Sequence, residues 1–241
     1  MSDEETARNV AATAAAEQVE AGMTIGLGSG RAVWRVIEKL AERFGDRPPV
    51  RAAFASNRTA ELAQAAGIPA AILDGRVRLD LALDGADEID PRLGLMKGGG
   101  GALLREKLVA AASGRMIVVA DSTKLVHTLG KFPLPVEVVP FAWEVTARRV
   151  EALGCRPRLR RAGGEGAYVT DNGNYILDCH FPGGLPEPHG LDVRLRSRAG
   201  VVETGLFLGL ATEVIVAGSG GVRVRRREES GKAPAKGPSA R

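Results

Sequence analysis

Apolar and polar positions along the chain follow two alternating rhythms. In LDLALD (residues 79–84), Leu79, Leu81 and Leu83 alternate with Asp80, Ala82 and Asp84, which is the period-two pattern of a strand. MTIGLG (23–28) and MIVVAD (116–121) are short apolar runs of the kind found in buried strands. Between such runs lie helical spacings. Val33, Val36, Ile37 and Leu40 recur at i, i+3, i+4 and i+7, and residues 59–66 and 3–20 also read as helices, the latter opened by SDEE. Strands alternating with helices predict a parallel sheet covered on both faces.

The rhythm changes after LGKFPLPVEVVPFA, a stretch stiffened by Pro133, Pro135 and Pro140. Next come a helix (144–154), a hairpin pattern turning at Asn172-Gly173, a further helix, and a return through VVETGLFLGLATEVIVAG. The expected architecture is α/β. A Rossmann-like parallel-sheet domain (1–132 with 204–224) carries a smaller inserted α+β domain (133–203), and a basic tail (225–241) is expected to be disordered.

The chemistry concentrates in residues 79–113. Asp84 stands at the carboxyl end of a strand, where open α/β sheets bind ligands. Asp87, Lys97 and four consecutive glycines (98–101) follow, then a helix from about Ala102. Four glycines are costly to order, so the run implies a backbone that approaches a ligand closely. The helix carries apolar residues on both sides, Leu104, Leu108 and Ala111 on one and Ala102, Val109 and Ala110 on the other, so it is expected to be buried all round. Glu106 on its second face would then be desolvated, with its pKa raised toward that of a general base. The plainer alternative is an acidic turn, a flexible loop and a surface glutamate.

A second glycine loop, Gly28-Ser29-Gly30-Arg31, joins a strand to a helix and suits an anion. It lacks the G-x-G-x-x-G spacing and the later acidic residue of a dinucleotide site, which disfavours nucleotide redox chemistry. Asn57 and Arg58 also open a helix after a strand, where a cap is the simpler reading.

Composition narrows the partners. Of the formal +4 charge, residues 225–241 account for all, with six basic and two acidic side chains, so the remaining body is neutral. That argues against nucleic acid as a partner. No apolar run reaches the length of a membrane span, and no secretory signal is visible. Cys155 and Cys179 with three scattered histidines make neither a disulfide framework nor a metal site. A cytoplasmic protein without metal or other cofactor is expected.

DGADEID followed by KGGGGALLREKLVA resembles the ribose-5-phosphate isomerases of type A, and the likeness extends along nearly the whole chain. The resemblance implies interconversion of D-ribose 5-phosphate and D-ribulose 5-phosphate, an aldose–ketose isomerisation in the non-oxidative branch of the pentose phosphate pathway. It implies Glu106 as the base between C1 and C2, Lys97 as the stabiliser of enediolate charge, and Asp84 and Asp87 for ring opening and hydroxyl protons. The backbone of Gly98, Gly99 and Gly100 would contact the sugar. Ser29, Gly30, Arg31 and Ala32, with Lys124 and Arg8, would hold the phosphate. The family loop commonly reads G-T-G-S-T, so Arg31 and Ala32 replace two hydroxyl residues here. Arg31 could offer a charged fork instead, or it could face solvent. A homodimer or homotetramer is implied, with the small domain in contact. The rival readings are a non-catalytic sugar-phosphate sensor and another sugar-phosphate enzyme of the same fold.

Overall fold

The computed structural model of the chain describes residues 3–164, 166–218 and 221–227. In chain order the first half forms α1 (Asp3–Ala16), β1 (Thr24–Leu27), α2 (Arg31–Phe44), β2 (Arg51–Phe54), α3 (Asn57–Ala65), β3 (Leu79–Asp84), β4 (Glu88–Ile89), β5 (Leu95–Met96), α4 (Leu103–Ala111) and β6 (Ser113–Asp121). The second half adds β7 (Leu134–Val138), α5 (Trp143–Glu151), β8 (Arg156–Leu159), β9 (Tyr175–His180), α6 (Pro188–Arg196), β10 (Val201–Thr204), β11 (Leu206–Phe207), β12 (Glu213–Gly218) and β13 (Gly221–Arg226).

The main sheet has the order β13-β12-β6-β3-β1-β2 and is parallel except at β13. The chain leaves β1 for β2 on one side and returns to β3 on the other. A crevice therefore opens between the β1 and β3 carboxyl ends, the usual ligand position in such sheets. Leu81 and Leu83 of β3 pack with Val33, Val36, Ile37 and Leu40 of α2 and with the alanines of α1. Leu79 and Ala82 face the other way, against Val109 and Ala110 of α4. All four α2 side chains are buried, each contributing roughly 1.5–3 kcal/mol.

A four-stranded antiparallel sheet, β10-β7-β9-β8, is built from residues 134–204 with α5 and α6 beside it. A three-stranded sheet, β11-β5-β4, joins the two. The return segment is thus divided: VVET closes the four-stranded sheet, LF joins the small one, and only EVIVAG reaches the main sheet.

Several details differ from the sequence reading. α1 ends at Ala16 rather than near residue 20. β9 pairs with Arg156–Leu159 rather than with a strand just ahead of Asn172. The reason is Glu137, whose Oε1 accepts hydrogen bonds from Thr170, Asn172 and Asn174 and pulls that turn onto β7. α4 is not buried all round, since Leu108 is 56% exposed. The disordered tail cannot begin at residue 225, because Arg225 and Arg226 pair with Val214 and Glu213. The ladder uses backbone groups, so an arginine-rich edge strand can form, and charge on it discourages further pairing. Residues 228–241 lie outside the described residues.

Candidate active site

The carboxyl ends of β1, β3 and β6 open into a cavity of about 410 Å³. Its walls include Arg8, Ser29, Gly30, Arg31, Ala32, Asp87, Lys97, Gly98, Gly99, Gly100, Glu106 and Lys124, every residue the family resemblance implies except Asp84. Asp84 lies just beneath, 2% exposed, at the end of β3. Gly28 makes room for it: a Cβ there would fall 2.0 Å from the Asp84 carboxyl carbon. That is a second reason for a glycine in the first loop, independent of any ligand.

Lys97 follows β5 and is the hub of the inner end. Its ammonium lies 2.9 Å from Asp84 Oδ1 and 3.4 Å from Glu106 Oε2, and it donates to the Gly85 carbonyl at 2.7 Å. Burial works against this cation, but Asp84 and Glu106 outweigh it and hold its pKa above the usual lysine value. For Asp84 burial wins, raising its pKa although Lys97 and the Gly85 amide pull the other way.

Glu106 differs in kind. Its carboxyl is buried on α4, and Oε2 makes no hydrogen bond among the described residues although Lys97 stands near. Burial, reinforced by the Asp84 charge, pushes its pKa up to about 8. A carboxylate short of hydrogen bonds, nearly neutral at physiological pH and facing a cavity suits proton transfer. Asp87 lines the cavity, its Oδ2 accepting the Gly99 amide at 2.8 Å.

The outer end is lined by groups that suit an anion. Residues 28–30 lead from β1 into α2, a 14-residue helix whose first amides and dipole point at the loop. The Ser29 hydroxyl bonds Ser56 at 2.9 Å, and Ser56 in turn caps α3. Arg8 enters from α1, 8% exposed, bonded to Glu5 and 3.8 Å from Asp121. Lys124 sits in a single 3-10 turn after β6, capped by Asp121. Arg31 is exposed and makes no ion pair among the described residues.

The chain as a whole is similar to known proteins. The description "Ribose 5-phosphate isomerase A (phosphoriboisomerase A)" matches residues 51–221. The ribose-5-phosphate isomerase A of a Synechococcus species is 47% identical over 230 residues, 94% of this chain and 100% of its own. That of Gloeobacter violaceus is 49% identical over 219 residues, 90% of this chain and 94% of its own.

The chain belongs to the ribose 5-phosphate isomerase A family.

Solved structures agree. The ribose 5-phosphate isomerase of Plasmodium falciparum superposes with a TM-score of 0.89 at 32% identity, covering 93% of this chain and all of that one. A D-ribose-5-phosphate isomerase in complex with phospho-erythronic acid gives a TM-score of 0.89 at 36% identity, covering 94% and 100%.

Beside these relatives, some residues of the site escape a reading of the sequence. Trp34 and Asp121 line the cavity as well. Asp121 ends β6 as Asp84 ends β3, so its place at a strand's carboxyl end was the available signal. Glu88 of the acidic motif points away from the cavity, accepting the Gly130 and Phe132 amides and fixing the loop before β7. Asn57 and Arg58 stay outside; Ser56 caps the helix, and Asn57 instead meets Arg105 and Asp171. The 171–174 turn docks there, with Arg105 also bonding Asn172 and the Asp171 carbonyl. Among the described residues no cluster of three His, Cys, Asp or Glu side chains is arranged to hold a metal ion.

Proposed function

We propose that the chain interconverts D-ribose 5-phosphate and D-ribulose 5-phosphate through an enediolate, with Glu106 as the base. The observation that carries this is the buried Glu106 carboxylate, its pKa near 8, beside the Lys97 cation at the closed end of a cavity whose open end is cationic. From the open-chain aldose, Glu106 takes the C2 proton. The freed electron pair forms the C1–C2 double bond while the carbonyl pair moves onto O1. Lys97 stabilises that charge, an effect worth about 3–4 kcal/mol in comparable sites. Asp87 and Asp84 handle ring opening and carry the hydroxyl proton from O2 to O1, and Glu106 returns its proton to C1. The backbone of Gly98, Gly99 and Gly100 meets the sugar. Arg8, Lys124 and residues 29–32 hold the phosphate.

Phospho-erythronic acid, held by one of the similar structures, supports the reading. It combines a phosphate with a carboxylate, and a carboxylate offers the paired oxygens that an enediolate presents to a cation. We also propose a cytoplasmic enzyme, in which the buried, unbridged Cys155 and Cys179 stay reduced. A homodimer or homotetramer would cover Val139, Phe141 and Val145, of which Phe141 is 88% exposed.

Proton NMR of ribose 5-phosphate in D₂O, with purified protein and EDTA, tests the reaction. The expected result is ribulose 5-phosphate with deuterium entering at the exchanging carbon. Binding without turnover would favour a sensor, and neither binding nor turnover would refute the substrate.

A further inference from the structure

The glycine run is gripped from the side away from the cavity, by the unit built from residues 134–204. Arg160, just after β8, donates from Nη1 to the Gly98 carbonyl at 2.7 Å and to the Gly99 carbonyl at 3.2 Å. The Tyr168 hydroxyl reaches the Gly100 carbonyl at 3.3 Å. Arg160 is itself fixed in a fork by Asp178 of β9, Nε to Oδ2 at 3.0 Å and Nη2 to Oδ1 at 2.5 Å. The loop has no slack between these partners: a Cβ on Gly99 would lie 2.6 Å from Asp87 Oδ1, and one on Gly101 2.2 Å from the Tyr168 oxygen.

A trans peptide plane points its C=O and its following N–H in opposite directions. Holding the Gly98 carbonyl on Arg160 therefore turns the Gly99 N–H away from the guanidinium, and that N–H is the one donated to Asp87 Oδ2 at 2.8 Å. Holding the Gly99 carbonyl likewise turns the Gly100 N–H away. Gly100 lines the cavity, and its N–H has no acceptor among the described residues. We propose that Arg160 is a positioning residue that acts through two peptide planes, fixing the Asp87 carboxylate through Gly98–Gly99 and presenting the Gly100 amide to the sugar through Gly99–Gly100. The inference rests on the role given to Asp87 above. An arginine is required because one planar fork must engage Asp178 and two carbonyls together, a geometry a lysine cannot match.

The test is a double-mutant cycle on ribose 5-phosphate turnover with Arg160→Met, Asp87→Asn and their combination. Arg160→Met is expected to lower kcat by about 10- to 100-fold while KM moves less than about threefold, because the phosphate end is untouched. In the Asp87→Asn background the same change should cost less than about twofold, since its main route of action is already gone. Asp178→Asn, which keeps the guanidinium but loosens its fork, should give a smaller loss confined to kcat and decides the matter if Arg160→Met does not fold. Normal kcat in these variants, or losses that multiply with that of Asp87→Asn, overturn the proposal. Normal turnover in Asp87→Asn alone would instead convict the assignment of Asp87.

Discussion

At the inner end of the cavity Lys97 is 3% exposed and has Asp84, Glu106 and the Gly85 carbonyl within 3.4 Å, whereas at the outer end Arg31 is exposed with no ion pair among the described residues. The inner groups come from the end of β3, the residue after β5 and α4 and fix one another, so their geometry exists before any ligand arrives. Charge that develops there meets dipoles and ions already in place, which is where electrostatic catalysis is strongest. The outer end instead presents the first turn of α2 with its dipole, supplemented by the Arg8 and Lys124 side chains. Backbone donors do not depend on side-chain identity. The contrast explains how the loop can carry Arg31 and Ala32 while the inner constellation stays complete.

The largest effect that could break this contrast is at Glu106. Glu106→Gln should lower turnover by about 10²–10⁴-fold with the fold intact. The wild-type kcat/KM should climb as pH rises toward about 8, since the base works only when ionised. Stability runs the opposite way. The folded state raises the Glu106 pKa from 4.5 to about 8, so it holds a proton that the unfolded chain releases. That contribution is complete below about pH 4.5 and is lost as pH passes through 8. Glu106→Gln escapes the loss, so in denaturant unfolding it should gain on wild type as pH rises toward 9. A variant that keeps near-normal turnover would remove Glu106 from the role, and one that does not gain on wild type between pH 6 and 9 would remove the buried proton.

Lys97→Met comes next. The stem is kept and the cation removed, so kcat should fall about 10²–10³-fold, the equivalent of one preorganised electrostatic partner. Stability should drop also, because Asp84 and Glu106 lose the charge between them. An unaltered kcat would mean that Lys97 only neutralises buried acids.

The legibility of the sequence follows the same division. Strand alternation in residues 79–84 and the i, i+3, i+4, i+7 pattern of α2 marked the sheet and its cover, because each records burial within a few residues. Asp87, Lys97 and Glu106 were legible because they lie in one short segment with a glycine run. Asp121 offers only its place at a strand's carboxyl end, and Trp34 offers no signal, since the packing of α2 alone brings it to the cavity. Arg160 was invisible for a stronger reason: in the text it is one arginine among several, and its meaning lies in two carbonyls some sixty residues earlier. The course of residues 160–174 departs from the hairpin pattern because Glu137, a buried acid on another strand, gathers Thr170, Asn172 and Asn174. Local alternation carries no trace of that.

The smallest expected effect sharpens the comparison most. Arg31 stands at the first turn of α2, exposed and without an ion pair among the described residues, beside helix-start amides that suit an anion. Arg31→Ala should raise KM for ribose 5-phosphate about three- to tenfold and leave kcat within about twofold, since uniform binding is lost without touching the reacting carbons. The KM increase should shrink as salt is added, because an exposed guanidinium is screened over about 10 Å at 0.1 M ionic strength. Wild-type KM and salt response in Arg31→Ala would mean that the guanidinium faces solvent and that amides, Arg8 and Lys124 suffice. A tenfold fall in kcat would instead show that phosphate binding aligns C1 and C2 against Glu106, so that the two ends act as one device rather than two.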